Sequence, residues 1–397
     1  SGEDSPPILS NITSYNQAVN DFCFDLFEKI KEDENNQANL FFSPYSVFTA
    51  LAMTYEGARG KTALEMKDVL SVDQDNESFH NYMKNLYEYL NENSEYDIST
   101  ANALWPDIDF ELLKNYTDII ENYYGAKTDS VDYSNPDKAS DIINSWVENQ
   151  TNNLIKNLVP ASAIDPVFTK LILTNAIYFK GVWQIEFDEE NTTKRDFLNS
   201  DETTVSVDTM KLTGTEDLFN YTETENLQIL ELGYKGNDIS MLLMLPKEED
   251  LTNLLDIIDS LNRDDYSEWI GQMTQKEVDI YLPKFTIKTP LYYLSSYLKN
   301  LGMNDAFTGN ADFSGMDGRK DLQISHVLHK AFIEVNEEGT EAAAATAAVM
   351  KLTSIENGSG ESRIIFDCDQ PFLFTIYHRE TDTILFMGEV NNLEESE

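Results

Sequence analysis

The residues best suited to acid–base or nucleophilic chemistry in this chain are few: four histidines (His80, His326, His329 and His378) and two cysteines (Cys23 and Cys368). A hydrolytic triad needs a serine, a histidine and an acid that meet in space. The chain has no G-x-S-x-G elbow, P-loop, GxGxxG or HExxH pattern. The GSG at 358–360 lacks the flanking strand and helix of an elbow and reads as loop. His326 and His329 stand three apart beside Ser325 in a predicted strand. Their side chains would point to opposite faces there, so structural histidines are expected, not metal ligands. Two cysteines allow one bridge at most and no zinc cluster; both are expected as buried free thiols. Asp plus Glu number 71, so acid pairs occur everywhere and single out no site. No catalytic residue, metal or cofactor is read from the sequence, and the chain is not expected to be an enzyme.

The charge balance excludes further classes. Lys plus Arg is 28 against those 71 acids, a net charge of −43. Such a surface repels phosphate, which argues against nucleic acid and anionic membrane as partners. No apolar run is long enough to span a bilayer. Hydrophobic residues still make up 41% and aromatics 11%, which is too much apolar mass for a disordered acidic chain. Ser1-Gly2 reads as a scar of cloning, so the N-terminus leaves the compartment open.

The elements that must position any function follow from periodicity. Residues 1–13 read as a loose lead-in. Helices are predicted at 16–31, from Ser43-Pro44 through 58, and at 62–70, 78–92, 109–124, 136–149, 249–270 and 291–301. Strands are predicted at 98–105, 171–183, in several runs between 204 and 289, and at 324–335 and 371–390. The 171–183 run (LILTNAIYFKGVW) is apolar enough to be buried on both faces. Helices cluster early and strands late without βαβ alternation, which indicates an α+β fold. Length alone suggests two or three domains, yet no linker divides the chain. One segment breaks the local rules: 337–363 runs from a glycine through an alanine tract into a polar Gly/Ser stretch. Long loops of this kind in compact domains are usually functional.

The segment EEGTEAAAATAA (337–348) resembles the hinge of inhibitory serpins, the serine protease inhibitor family. Further blocks agree in the family's order: 39–62, 144–159, 173–192, 230–246, 281–287, 326–342 and 366–390. The resemblance covers about 16–392. It implies one domain over 1–397, three β-sheets (A, B and C), about nine helices, and an exposed reactive-centre loop at about 337–363. By alignment to the hinge (Glu337, Glu338, Gly339, Thr340, Glu341, Ala342, Ala343, Ala344, Ala345, Thr346), the scissile bond falls at Thr353–Ser354, with Lys351–Leu352 as the alternative.

The loop's own pattern fits that resemblance. Thr340 to Thr353 would span roughly 46 Å when extended. After insertion into a sheet, Thr340, Ala342, Ala344, Thr346, Ala348 and Met350 would face the core; none is charged. Glu341 and Lys351 fall on the opposite face. The implied mechanism is a suicide trap, in which a target serine protease is caught in a covalent 1:1 complex as the cleaved loop inserts into sheet A. Thr353 suits a shallow pocket, so elastase-like and then subtilisin-like proteases are expected targets. The net charge suggests a cationic one. A non-inhibitory carrier, chaperone or storage role is the alternative.

By position, Ser43, Ser46, Asn175 and His329 match the family's shutter under the centre of sheet A. Trp183, Lys284 and Glu337 match its breach, where insertion begins. Gly233 and Leu393 stand where the family commonly has proline. The 76–92 stretch, where some serpins bind heparin, has Lys84 as its one strong base, so no heparin activation is expected. A monomer is expected, extracellular or at the cell surface, with a cytoplasmic location as the alternative.

Overall fold

The computed structural model describes residues 13–33, 39–73, 77–91, 95–247, 262–340 and 363–396. Among them are nine α-helices and three β-sheets. The sheets of seven, seven and four strands are called A, B and C below.

The helix Pro44–Gly57 lies at the centre, with every residue buried. Its start is set by sequence. The Ser43 side chain caps the first turn by accepting from Ser46 N, and Pro44 supplies the fixed φ of the first helical position. It packs on Tyr96–Pro106 and Leu171–Val182 of sheet A on one side and on Thr383–Val390 of sheet B on the other.

Sheet A is built around Leu171–Val182, buried along nearly its whole length. The apolar run hides a period of two. Leu171, Leu173, Ile177 and Phe179 join the main core, while Ile172 and Ala176 join a second cluster with Trp105, Ile143 and Val147. That second face is covered by the helix Pro136–Gln150. Tyr96–Pro106 pairs with Leu171–Val182 antiparallel along its full length. On the other side His326–Val335 runs parallel to it, but pairs only from His326↔Ile172 to Ala331↔Ile177. Beyond Ala331 the two strands part, and Gly339–Thr340 occupies the gap.

Sheet B packs Ile239–Pro246, Phe372–His378 and Thr383–Val390, all buried throughout. Sheet C comprises Thr193–Leu198, Thr204–Leu212, Val278–Pro283 and Ile364–Asp367. The helix expected over 109–124 begins at Lys114, because Leu113 N is held by Met316 O and Asp109 N by the Asp107 side chain. The helix expected at 291–301 is confined to Ser295–Asn300; Tyr292 and Tyr293 instead pair with His329 and Leu328 at the edge of sheet A. Of the 249–270 helix, residues 249–261 lie outside the described residues, and Arg263–Gln272 is helical. Cys23 and Cys368 are free and buried, and burial pushes both thiols well up.

Candidate functional site

The four residues expected beneath sheet A form one buried network. The backbone N–H of Ser43 donates to His329 Nε2 at 3.2 Å, so Nε2 carries no proton. His329 Nδ1 faces Asn175 Oδ1 at 2.5 Å and is therefore the donor. Asn175 Nδ2 donates to Ser46 Oγ and to Asn102 Oδ1, each at 2.6 Å, and Ser46 Oγ donates to Asn102 Oδ1 at 2.9 Å. Ser43 Oγ donates to Leu385 O at 2.7 Å, tying the cluster to sheet B. The ring nitrogens of His329, the Asn175 amide and the Ser43 and Ser46 hydroxyls all take part, as burial requires. Burial pushes His329 down to about 4, partly offset by the Asn175 backbone. Asn175 and His329 are register partners across the seam where the two strands of sheet A meet. The cluster therefore bridges the seam between these two strands.

His326 points the other way and meets Ala163 O at 2.8 Å, as positions three apart on a strand require.

At the upper end of the same seam, residues 336–339 form a tight turn. Asn336 N donates to Gly339 O at 2.9 Å, and Asn336 Oδ1 accepts from the N–H groups of Glu338 and Gly339. The segment after Leu171–Val182 captures the turn's carbonyls. Trp183 N donates to Glu338 O at 2.8 Å, Phe187 N to Glu337 O at 3.0 Å, and Trp183 Nε1 to Asn336 O at 3.0 Å. Trp183 in turn stacks on Tyr234, with centroids 4.5 Å apart. Glu337 is 4% exposed. Its carboxylate accepts from Lys284 Nζ at 2.8 Å and from Thr192 Oγ1 at 2.7 Å. Burial alone would raise its pKa, but these hydrogen bonds outweigh burial and hold it below the usual range.

After the turn, Gly339 pairs with Val182, and Thr340 is flanked by Val335 on one side and Gly181 on the other. A Cβ on Gly339 would sit 2.0 Å from Gly181 O, so only glycine fits. The expected exposed loop over about 337–363 is thus corrected at its start. Residues 337–340 are a docked turn and an inserted strand end: Trp183 and Phe187 take the turn's carbonyls, and Thr340, paired with both flanking strands, is 0% exposed. Glu341 to Thr346 of the expected hinge, both candidate scissile bonds (Lys351–Leu352 and Thr353–Ser354) and the GSG lie outside the described residues. Where the chain resumes, Arg363 is held by Asp279 at 2.8 Å, Glu277 at 2.9 Å and Thr215 O at 2.9 Å. Thr340 and Arg363, the described residues on either side of 341–362, are thus both held in place.

Asn102, Thr192, Tyr234, Asn336 and Arg363 complete these clusters and were not singled out from sequence. Only Asn102 left a trace, as a lone amide in the apolar run of Tyr96–Pro106. Among the described residues no group of His, Cys, Asp and Glu could hold a metal ion, and no helix is long and apolar enough to cross a membrane.

Comparison with known proteins agrees with this architecture. The family model described as Serpin (serine protease inhibitor) matches residues 17–393. Serpin B3 of Homo sapiens is 38% identical, over 96% of this chain and 100% of its own. The leukocyte elastase inhibitor of Xenopus laevis is 40% identical, over 97% of this chain and 100% of its own. The crystal structure of Serpin48, described as a highly specific serpin of the insect Tenebrio molitor, superposes with a TM-score of 0.85 at 34% identity, covering 96% of this chain and 98% of that one.

Proposed function

The chain belongs to the serpin family, and from that premise we propose that it is an inhibitory member, a single-domain suicide inhibitor of elastase-like or subtilisin-like serine proteases. The observation that carries this reading is Thr340, small, uncharged and already seated between the parted strands of sheet A. The residues that would follow it into the sheet on the same face, Ala342, Ala344, Thr346 and Ala348, are equally small. An inserting strand would gain ladder hydrogen bonds on both sides without burying a charge. A relative 40% identical that is named for elastase inhibition supports the target class.

In this reading the protease serine attacks the carbonyl carbon of Thr353. The Thr353–Ser354 peptide bond breaks, Ser354 leaves as a free amine carrying the proton, and an acyl-enzyme ester remains. The freed loop zips down from Thr340, parting Asn175 from His329, and carries the protease along before water hydrolyses the ester. The buried network under the seam and the docked turn set how readily the sheet opens. The partner would be a cationic protease drawn by the acidic surface.

Incubation with an elastase-like and a trypsin-like protease, read by denaturing gel and mass spectrometry, tests the proposal. The expected result is an SDS-stable complex with the elastase-like enzyme and a released peptide beginning at Ser354. A peptide beginning at Leu352 would move the bond to Lys351. Clean cleavage without a complex by every protease tried would overturn inhibition in favour of a carrier, chaperone or storage role.

A further inference from the structure

Sheet C ends in a strand that should hold weakly. Ile364–Asp367 is four residues long, lies at the edge of the sheet, and pairs only with Val278–Tyr281, in parallel. A short parallel edge ladder contributes little by itself. An arginine clamp stands at each end of it. Before the strand, the Arg363 guanidinium donates to Asp279 Oδ1 at 2.8 Å, Glu277 Oε2 at 2.9 Å and Thr215 O at 2.9 Å. At its end, Asp367 accepts from Arg195 Nη2. The Arg195 guanidinium lies 4.2 Å from the ring centre of Tyr281, the register partner of Asp367. The Arg363 and Arg195 side chains are 27% and 29% exposed, so both charge-assisted clamps are partly shielded from water.

Chain length gives the clamps a task. Val335 pairs with both Phe285 and Thr340 at the upper end of the seam. Phe285–Lys288 descends from there towards the His326 end, the foot of the seam. Val278–Pro283, which precedes it, therefore lies beyond Thr340 on the side away from the foot, and Arg363 lies with it. In the register that Gly339 and Thr340 set on Val182 and Gly181, Thr353 would come opposite Phe168, roughly 43 Å from Thr340 at ~3.3 Å per residue. The ten peptide units from Thr353 to Arg363 reach about 36 Å at most. An uncleaved segment cannot enter the seam to that depth while Arg363 and Ile364–Asp367 stay on sheet C.

We propose that the two arginine clamps on Ile364–Asp367 keep the uncleaved segment out of sheet A, so that entry waits for the protease. Cleavage at Thr353–Ser354 severs the tie to Arg363 and removes the limit, whereas entry without cleavage must first strip Ile364–Asp367 from sheet C against both clamps. The purpose of this regulation rests on the inhibitory reading; the limit set by chain length does not.

Storage of the uncleaved protein without protease tests the device. The variants are Arg363→Gln, Arg195→Gln, their double, and Glu277→Gln, which removes one clamp bond at a 48% exposed carboxylate. Conversion is read as a rise in melting temperature with the chain mass unchanged, and amide exchange follows Ile364–Asp367. Each arginine variant is expected to convert about tenfold faster than the wild type, the double variant faster still, and Glu277→Gln about threefold faster, with exchange at Ile364–Asp367 rising in parallel. Freshly prepared variants should trap protease with the wild-type stoichiometry, because cleavage has by then released the tie. Conversion of the double variant at the wild-type rate, or conversion while those amides stay protected, overturns the device. An arginine variant that unfolds before it converts passes the test to Glu277→Gln, for which an unchanged rate overturns it. Faster conversion in variants of a protein that traps no protease when fresh refutes the inhibitory reading and leaves the clamps standing.

Discussion

The hydroxyl of Thr340 lies 2.7 Å from that of Tyr234, and both are fully buried. Thr340 is therefore tied to the ring that stacks on Trp183, and in the proposed mechanism the first residue to insert is already held in the seam of sheet A. Thr340→Arg would bury a charge at a cost of several kcal/mol. It is expected to convert the inhibitor into a substrate: cleavage persists and the SDS-stable complex disappears. Tyr234→Phe leaves the Thr340 hydroxyl unpaired, at about 1–3 kcal/mol. Faster amide exchange at Gly339 and Thr340 is the expected readout. Full trapping by Thr340→Arg would refute the hinge reading.

Gly339→Ala should act through sterics alone. Its new methyl would meet Gly181 O and the Val182 backbone, which cannot yield without disturbing the strand. Overpacking of this kind costs typically about 1–3 kcal/mol. The expected outcome is a lower melting temperature with the turn undocked, seen as loss of the Trp183 environment by fluorescence. An unchanged emission spectrum and melting point would show that the docked turn does not form in solution.

Much of this was legible in the sequence where local chemistry decides the outcome. Ser43-Pro44 announces a helix start because capping and the proline φ act within one turn. The run from Leu171 announces a strand because covering both faces leaves an unbroken apolar signature. Legibility ends where partners come from afar. Thr274–Lys276 is fully exposed and polar, and pairing with Phe219–Glu223 alone makes it a strand. Tyr292 has helical neighbours but is drawn into sheet A by His329. Thr192, Tyr234 and Asn336 gain their roles only when the turn at 336–339 docks, so nothing in their own neighbourhoods marks them. The alanine tract stood out for a different reason: it favours a helix yet offers little side chain to bury, and its placement lies outside the described residues.

Lys284 and Glu337 should respond unequally to mutation. Glu337 is buried, whereas Lys284 is 40% exposed. Lys284→Ala leaves a buried carboxylate with Thr192 and its own backbone N–H as donors and no countercharge, for an expected loss of about 1–3 kcal/mol. Glu337→Gln removes the charge and keeps a hydrogen-bonding group for Thr192, so it should cost less. Thermal melts of the two single variants and the double variant decide the matter. Equal losses would mean that the pair acts as a surface ion pair worth little.

The charge of −43 should be visible in association kinetics. With a cationic elastase-like protease, the second-order trapping rate is expected to fall by about tenfold or more between low salt and 0.15 M, where the Debye length is about 8 Å. The number of inhibitor molecules cleaved per protease trapped should stay constant, because loop insertion follows encounter. A trapping rate independent of salt would remove electrostatic steering from the proposal.

His329 makes the fold sensitive to acid. Its ordinary pKa of 6.5 is pushed down to about 4 by burial, so below pH 6.5 the unfolded chain takes up a proton that the folded chain refuses. The unfolded state then binds more protons, and stability falls as pH drops from 6.5, with the loss complete near pH 4. The full window is worth about 3 kcal/mol. His378, also pushed down to about 4 by burial, acts in the same direction. His329→Gln cannot titrate and should remove roughly half of the slope contributed by the two histidines. Denaturant midpoints followed across this window measure both slopes. The variant keeping the wild-type slope would assign the acid sensitivity elsewhere. Protonation has a local meaning as well: a proton on Nε2 would face the Ser43 N–H that now donates to it. Acid should therefore loosen the contact between Ser43 and His329 first. Spontaneous entry of the uncleaved loop into the seam, read by loss of inhibitory capacity on storage, is expected to accelerate below pH 6 in the wild type and less steeply in His329→Gln.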